Sequence, residues 1–282
     1  MLAELLAILT SLLWALQNIC AKKGLKESNV ISLTLFTVAI GSVFFWVLTI
    51  LFVPLDSFKS EAIIYHIIGG ALGGFIALQL WYKSMKRYGV ARASTIVSSR
   101  TLVSSFAAVL ILDELLTPSI GVGTVLIVLG VALLSSEGYD KTGWLDRNLI
   151  LPLATAFFYG INAIPRKIGV GITNNPIVGA TIETSTALIL IIIYLFLSKS
   201  KFSLNRSSFS YFSVNGVFYS IAYLCLVYAY SFGDLVIVVP LMSIFPLFTI
   251  LLVYFLLGEQ EKITSKLIIS AILVVLGSVL II

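Results

Sequence analysis

SLLWALQNICAKKG at 11–24 and AFFYGINAIPRKIG at 156–169 read as one pattern written twice. A shift of 145 residues pairs Trp14 with Tyr159, Gln17 with Asn162, Lys22 with Lys167 and Gly24 with Gly169. The same shift lays FAAVLILDE (106–114) on LLVYFLLGE (251–259), so that Glu114 meets Glu259. Beyond that point two extra residues in the second copy bring LIVLG (126–130) onto LVVLG (273–277). One register held over so much of the chain marks an internal duplication.

The composition says where the duplicated unit lives. Of 282 residues, 59% are hydrophobic and 11% are charged, and the mean hydropathy is +1.09. Soluble domains carry about 25% charged residues, so the sequence describes an integral membrane protein. Its net charge of +5 is then a signal of topology and no argument for nucleic acid. A membrane helix needs about 20 predominantly apolar residues. Ten such spans follow one another, at 2–21, 30–53, 62–84, 91–112, 117–136, 148–167, 176–198, 209–231, 235–257 and 264–282. The connections are too short for a soluble domain. No charged segment precedes span 1, which is therefore expected to stay as a helix and not to be cleaved as a signal peptide.

The expected architecture is all-α, with residues 1–136 as a first five-helix repeat, 137–147 as a linker and 148–282 as a second repeat. Five is odd, so the second repeat must enter the membrane from the opposite face. Inverted repeats of this kind belong to alternating-access transporters, whose substrate sites lie near the midplane between the repeats.

The motifs WALQN and YGINA with a following Lys, and the runs ending LDE or LGE before a span that ends VLG, resemble the ten-helix EamA-type transporters of the drug/metabolite transporter superfamily. The resemblance covers essentially the whole chain and both halves. It implies a 5+5 inverted fold and solute transport, often efflux of amino acids or metabolites, without naming a substrate. One departure stands out. Where the family commonly has a Glu-Pro pair in spans 4 and 9, this chain has Arg100-Thr101 and Phe245-Pro246. Cation binding is therefore not carried over to that position. Pro246 keeps the helix-breaking element, which frees a backbone carbonyl inside the bundle.

Two ionisable residues lie deep in the spans. Arg100 stands about nine residues into span 4, roughly 14 Å at 1.5 Å per residue. Glu183 stands about seven residues into span 7, roughly 11 Å deep. Ionised groups there cost at least about 2.5–3.5 kcal/mol each and usually line pathways. They are expected to pair directly, or to leave Arg100 satisfied by Ser98, Ser99 and carbonyls, or to bind solute, with Arg100 on a carboxylate or phosphate and Glu183 on an amine or a proton. A zwitterion would use both charges; a pure anion would use Arg100 and leave Glu183 to a proton. The rest of the lining is expected from Trp14, Gln17 and Asn18, from Tyr159 and Asn162, and from Tyr82, Tyr223 and Tyr228, since aromatic walls with few polar atoms suit a small organic solute.

Other features read as architecture. Cys20 and Cys225 lie in apolar spans with no metal spacing, and His66, the one histidine, has no partner motif. The glycines of IIGGALGGFIA (67–77) suit close helix packing, and no Lys-Ser/Thr follows to make a phosphate loop. Glu114 and Glu259 are expected to cap the next helix. Lys22 and Lys167 are read as headgroup contacts, and Lys83, Lys86, Arg87 and Arg92 as a solvated cluster at one mouth. No HExxH, paired aspartates or second histidine supports an intramembrane enzyme, and no cofactor or metal is expected. The expected partners are a small-molecule substrate, the bilayer and a candidate coupling proton, with monomer and homodimer both open.

The expected activity is secondary transport of a small polar or zwitterionic, amino-acid-like metabolite, in the export direction. An uncoupled carrier of an organic anion or phosphorylated metabolite is the alternative, and a non-transporting membrane scaffold the second. Apart from Arg100, fourteen Lys and Arg fall on the face opposite the N-terminus and three, including Arg166, on the same face. The count places the termini outside, the resemblance places them inside, and orientation stays open.

Overall fold

The computed structural model describes residues 1–111, 118–135, 149–198, 202–258 and 261–280. Glu114 and Glu259, with the caps expected of them, lie outside the described residues. Within them the chain forms ten successive helical segments. They are α1 (Leu2–Gly24), α2 (Val30–Phe52), α3 (Ser60–Tyr88), α4 (Val90–Ile111) and α5 (Pro118–Ser135), then α6 (Ile150–Thr173), α7 (Pro176–Leu197), α8 (Arg206–Phe232), α9 (Leu235–Met242 with Phe245–Leu256) and α10 (Ser265–Leu280). By length and composition α1, α2, α3, α4, α7 and α8 could each cross a membrane, and the second half of α9 and α10 are shorter apolar helices.

Local chemistry starts several of these helices. Asn29, Asn175 and Asn205 each accept a hydrogen bond from a first-turn N–H, at 2.9, 3.1 and 2.7 Å, and so open α2, α7 and α8. An asparagine at this position satisfies a donor that the helix itself leaves unpaired. The polarity across each helix is inverted relative to a soluble protein. On α2, Val43, Val47, Ile50 and Leu51 face outward while Thr34, Thr37, Ser42 and Thr49 are buried. Apolar chains toward lipid and small polar residues between helices are what a bilayer selects. This is a multi-pass membrane protein.

The repeats interlock instead of forming separate lobes. Helix α1 packs on α8 and its counterpart α6 packs on α3; α2 meets α7, and α5 meets α10. The α5–α10 contact is reciprocal at the residue level. A Cβ on Gly130 would strike Ser270 and Val274, and a Cβ on Gly277 would strike Gly123 and Ile127. These are equivalent residues, each 147 apart. Such exchange of partners is the signature of a two-fold relation.

The basic residues at the helix ends are corrected by the structure. Lys22 Nζ reaches Met85 O at 3.4 Å, and Lys167 Nζ reaches Tyr230 O at 2.9 Å and Gly233 O at 2.6 Å. Met85 and Tyr230 are again 145 apart. Both lysines serve carbonyls near the C-terminal ends of α3 and α8, where a cation is favoured, in place of the headgroup contact expected. Arg166, expected at the end of span 6, also lies deeper than that. Helix α6 continues to Thr173, beyond the expected end near 167, and so carries Arg166 inside the bundle, 8% exposed.

Candidate functional site

Helices α4 and α9 are broken at equivalent points. The first stops at Val97 and resumes at Arg100; the second stops at Met242 and resumes at Phe245. At both breaks the backbone tightens to three-residue hydrogen bonds, Thr101 N to Ser98 O at 3.2 Å and Leu247 N to Ile244 O at 3.0 Å. Pro246 accounts for the second break, because it supplies no N–H to the carbonyls behind it. Both freed carbonyls find outside donors. Ser11 Oγ shares its proton between Met242 O and Ala7 O, each at 3.0 Å, and Ser98 Oγ donates to Ser243 O at 3.4 Å. Thr101 Oγ1 and Ser243 Oγ are 2.6 Å apart. Ser98 and Ser243 are themselves equivalent, so the two breaks cross near the axis relating the repeats.

A cavity lies against this crossing. Arg100, Trp14, Asn18 and Tyr159 line it, as do Arg166 and Phe245. Arg100 opens the second half of α4, is 6% exposed, and its Nε and Nη2 make no hydrogen bond among the described residues. Its guanidinium carbon sits 4.8 Å from the centre of the Trp14 ring. A cation on an indole face gains about 0.5–2 kcal/mol, which orients the group and leaves its in-plane donors unused. Asn18 Oδ1 is taken by Trp81 Nε1 at 3.0 Å.

The second arginine is fully engaged. Arg166 Nε lies 3.2 and 3.0 Å from the two Glu183 oxygens, and its Nη2 is 2.6 Å from Oε2 and 3.1 Å from the Tyr223 oxygen. Tyr223 also donates its hydroxyl to Glu183. With the Asn162 amide oriented to suit its neighbours, its Oδ1 accepts from Arg166 Nη2 at 2.9 Å and its nitrogen donates to Gly69 O at 3.2 Å. Glu183 therefore pairs with Arg166, and not with Arg100. It stands behind the cavity wall and is not among the lining residues.

The remaining predicted residues divide in the same way. Tyr82 is buried behind Gln17, bonded to it at 3.0 Å and to Thr37 at 3.1 Å. Tyr228 packs with Phe232, ring centres 5.8 Å apart, and is not among the lining residues. Asn162 contacts Arg166 and is not among the lining residues. Arg166, Trp81, Tyr219, Tyr230 and Phe245 line the cavity without having been singled out from the sequence. No acidic side chain is among the lining residues, so the wall presents two guanidinium groups and aromatic faces.

A model of the EamA-like transporter family matches residues 1–136 and again residues 147–282. Comparison with curated proteins gives no match. Among solved structures, a protein crystal structure superposes with a TM-score of 0.75, at 18% identity, over 99% of this chain and 95% of that one. That likeness shows the shared fold.

Proposed function

The chain belongs to the EamA-like transporter family of the drug/metabolite transporter superfamily, and we propose that its cargo is a small organic solute bearing an anionic group. The observation that carries this reading is Arg100: a buried guanidinium on the cavity wall, with Nε and Nη2 unpartnered and no lining carboxylate to neutralise it. Arginine stays ionised in proteins. A carboxylate or phosphate entering the cavity would supply the missing countercharge in the planar, two-bond geometry that guanidinium favours. The aromatic rings beside it would cover the body of the solute.

An amino-acid-like cargo fits in altered form. Its carboxylate would sit on Arg100, but its ammonium would meet aromatic faces and not Glu183. Movement would follow from rocking the repeats about the α4–α9 crossing, so that the site faces either side in turn. Export is the direction that the resemblance implies.

The test is counterflow in liposomes holding purified protein, across a panel of monocarboxylates, amino acids and phosphate monoesters. Arg100→Gln is assayed beside the wild type. Uptake of one or more anionic compounds, lost in the variant, is expected. Uptake confined to cations or neutral compounds, or unchanged by the substitution, overturns the reading.

A further inference from the structure

The cluster behind the cavity wall has an end that transport of an anion does not by itself explain. Glu183 is 2% exposed, and Arg166 and Tyr223, which bond it, both line the cavity. On its other side His66 Nδ1 lies 3.3 Å from Glu183 Oε1. His66 is fully buried, and its Nε2 has no partner among the described residues. It is the seventh residue of α3 counted from Ser60, with its ring against Gly169 and Gly179. The four side chains thus form one connected cluster that reaches the cavity through Arg166 and Tyr223.

Backbone geometry makes room for this cluster. Residues Gly70–Ala77 of α3 form a π-helical turn, and a Cβ on Gly69 would meet the Glu183 carboxyl carbon at 2.7 Å. Such turns interrupt regular helix at a cost and recur at functional sites. Helix α3 here approaches α7 closely enough for the histidine to reach the carboxylate.

Resting on the anionic-cargo reading above, we infer that His66 and Glu183 form a proton-binding site whose proton travels with the substrate anion. When His66 is neutral with its Nδ1–H toward Glu183, Nε2 offers a bare lone pair in the interior. A proton landing on Nε2 makes no other bond change. The imidazolium then becomes the countercharge of Glu183, and Arg166 is released to act on the cavity that it lines. The cluster passes from zero net charge to +1, so that an entering anion meets the released Arg166 as well as Arg100. A proton taken up without the anion would leave two positive groups uncompensated beside the cavity, so proton and anion favour each other's binding. Facing Glu183 are His66 from α3, Arg166 and Asn162 from α6, and Tyr223 from α8; α2, which packs on α7, carries no titratable residue. Coupling is reciprocal: the anion must bind more tightly as pH falls, and its binding must take up a proton.

The experiment titrates purified protein in lipid nanodiscs with benzoate, benzenesulfonate, pyruvate and glutamate, whose charges are constant between pH 8 and pH 6. Calorimetry in buffers of different ionisation enthalpy counts protons. For a probe that binds, wild type should show proton uptake and an affinity that rises toward about tenfold per pH unit. Glu183→Gln, which leaves Arg166 without its carboxylate, should bind the probe with little pH dependence. His66→Gln should bind it without proton uptake. Absence of binding by every probe at every pH overturns the anionic cargo and this inference with it. Binding that is the same at both pH values, with no proton taken up, overturns the inference alone. Persistence of full proton uptake in a folded His66→Gln or Glu183→Gln protein does the same, and where a variant does not fold the wild-type proton count decides.

Discussion

Arg100 and Arg166 are two buried guanidinium groups on one cavity, and the molecule treats them oppositely. Arg166 is held by Glu183 through three contacts of 3.2 Å or less, with Tyr223 and Asn162 completing its shell. Arg100 has the face of Trp14 and, among the described residues, no hydrogen-bond partner for its Nε and Nη2. Burial of a charge is tolerated only where something compensates it. For Arg166 the compensation is inside the protein; for Arg100, on the proposed reading, it comes from the carried solute. The contrast separates a group whose loss harms the structure from one whose loss harms binding.

The largest effect should fall on the paired arginine. Arg166→Met strands Glu183 as an unpaired buried carboxylate, at a cost of about 3–5 kcal/mol. Thermal unfolding in detergent should show it as a lower midpoint. The double variant Arg166→Met/Glu183→Leu should recover most of that loss, because an apolar pair of similar volume avoids the desolvation altogether. An Arg100→Met protein destabilised as much as Arg166→Met would break the comparison.

Next comes the unpaired arginine. Arg100→Gln should leave the unfolding midpoint close to that of the wild type while weakening a bound carboxylate by about 1.5–3 kcal/mol, roughly 10- to 150-fold. Arg100→Lys keeps the charge but loses the planar fork, so its affinity should fall between the two. Trp14→Leu removes the surface on which the guanidinium rests, worth about 0.5–2 kcal/mol. It should weaken the same ligand by a smaller factor, read in the same calorimetric titration.

The frame was legible because a bilayer restricts it. Span length follows from membrane thickness, and the 145-residue register survives in WALQN and YGINA. Arg100 was legible too, as a charge with apolar residues on both sides. Arg166 was not. IPRKIGVGIT combines a proline, two adjacent cations and two glycines, which reads as the end of a span, yet the helix runs through it to Thr173. One signal was available. Arg166 lies eight residues before Asn174 and Glu183 eight after Asn175. With a turn at those asparagines, where Asn174 adopts φ 53°, an antiparallel hairpin must bring the two charges level. The position of His66 behind Glu183 had no such signal, because it depends on a π-helical turn in α3 and on glycines in α6 and α7.

The smallest effect concerns the breaks that hold both arginines in place. In the second repeat Pro246 removes a donor, and Ser11 supplies the hydroxyl that Met242 O would otherwise lack, at 3.0 Å. In the first repeat the equivalent residue is Thr101, which retains its N–H and donates it to Ser98 O at 3.2 Å. There the position equivalent to Ser11 is Ala156, with no hydroxyl to offer. The serine hydroxyl on this carbonyl is thus particular to the second repeat. Ser11→Ala should cost about 1 kcal/mol of stability in the wild type. In a Pro246→Ala background residue 246 regains an N–H that can reach Met242 O, and the same substitution should cost almost nothing. A coupling energy near 1 kcal/mol in this double-mutant cycle would tie the asymmetry of the two breaks to the single missing donor. Additive costs would mean that the second break is imposed by packing around the crossing, and that Pro246 only occupies a bend already required there.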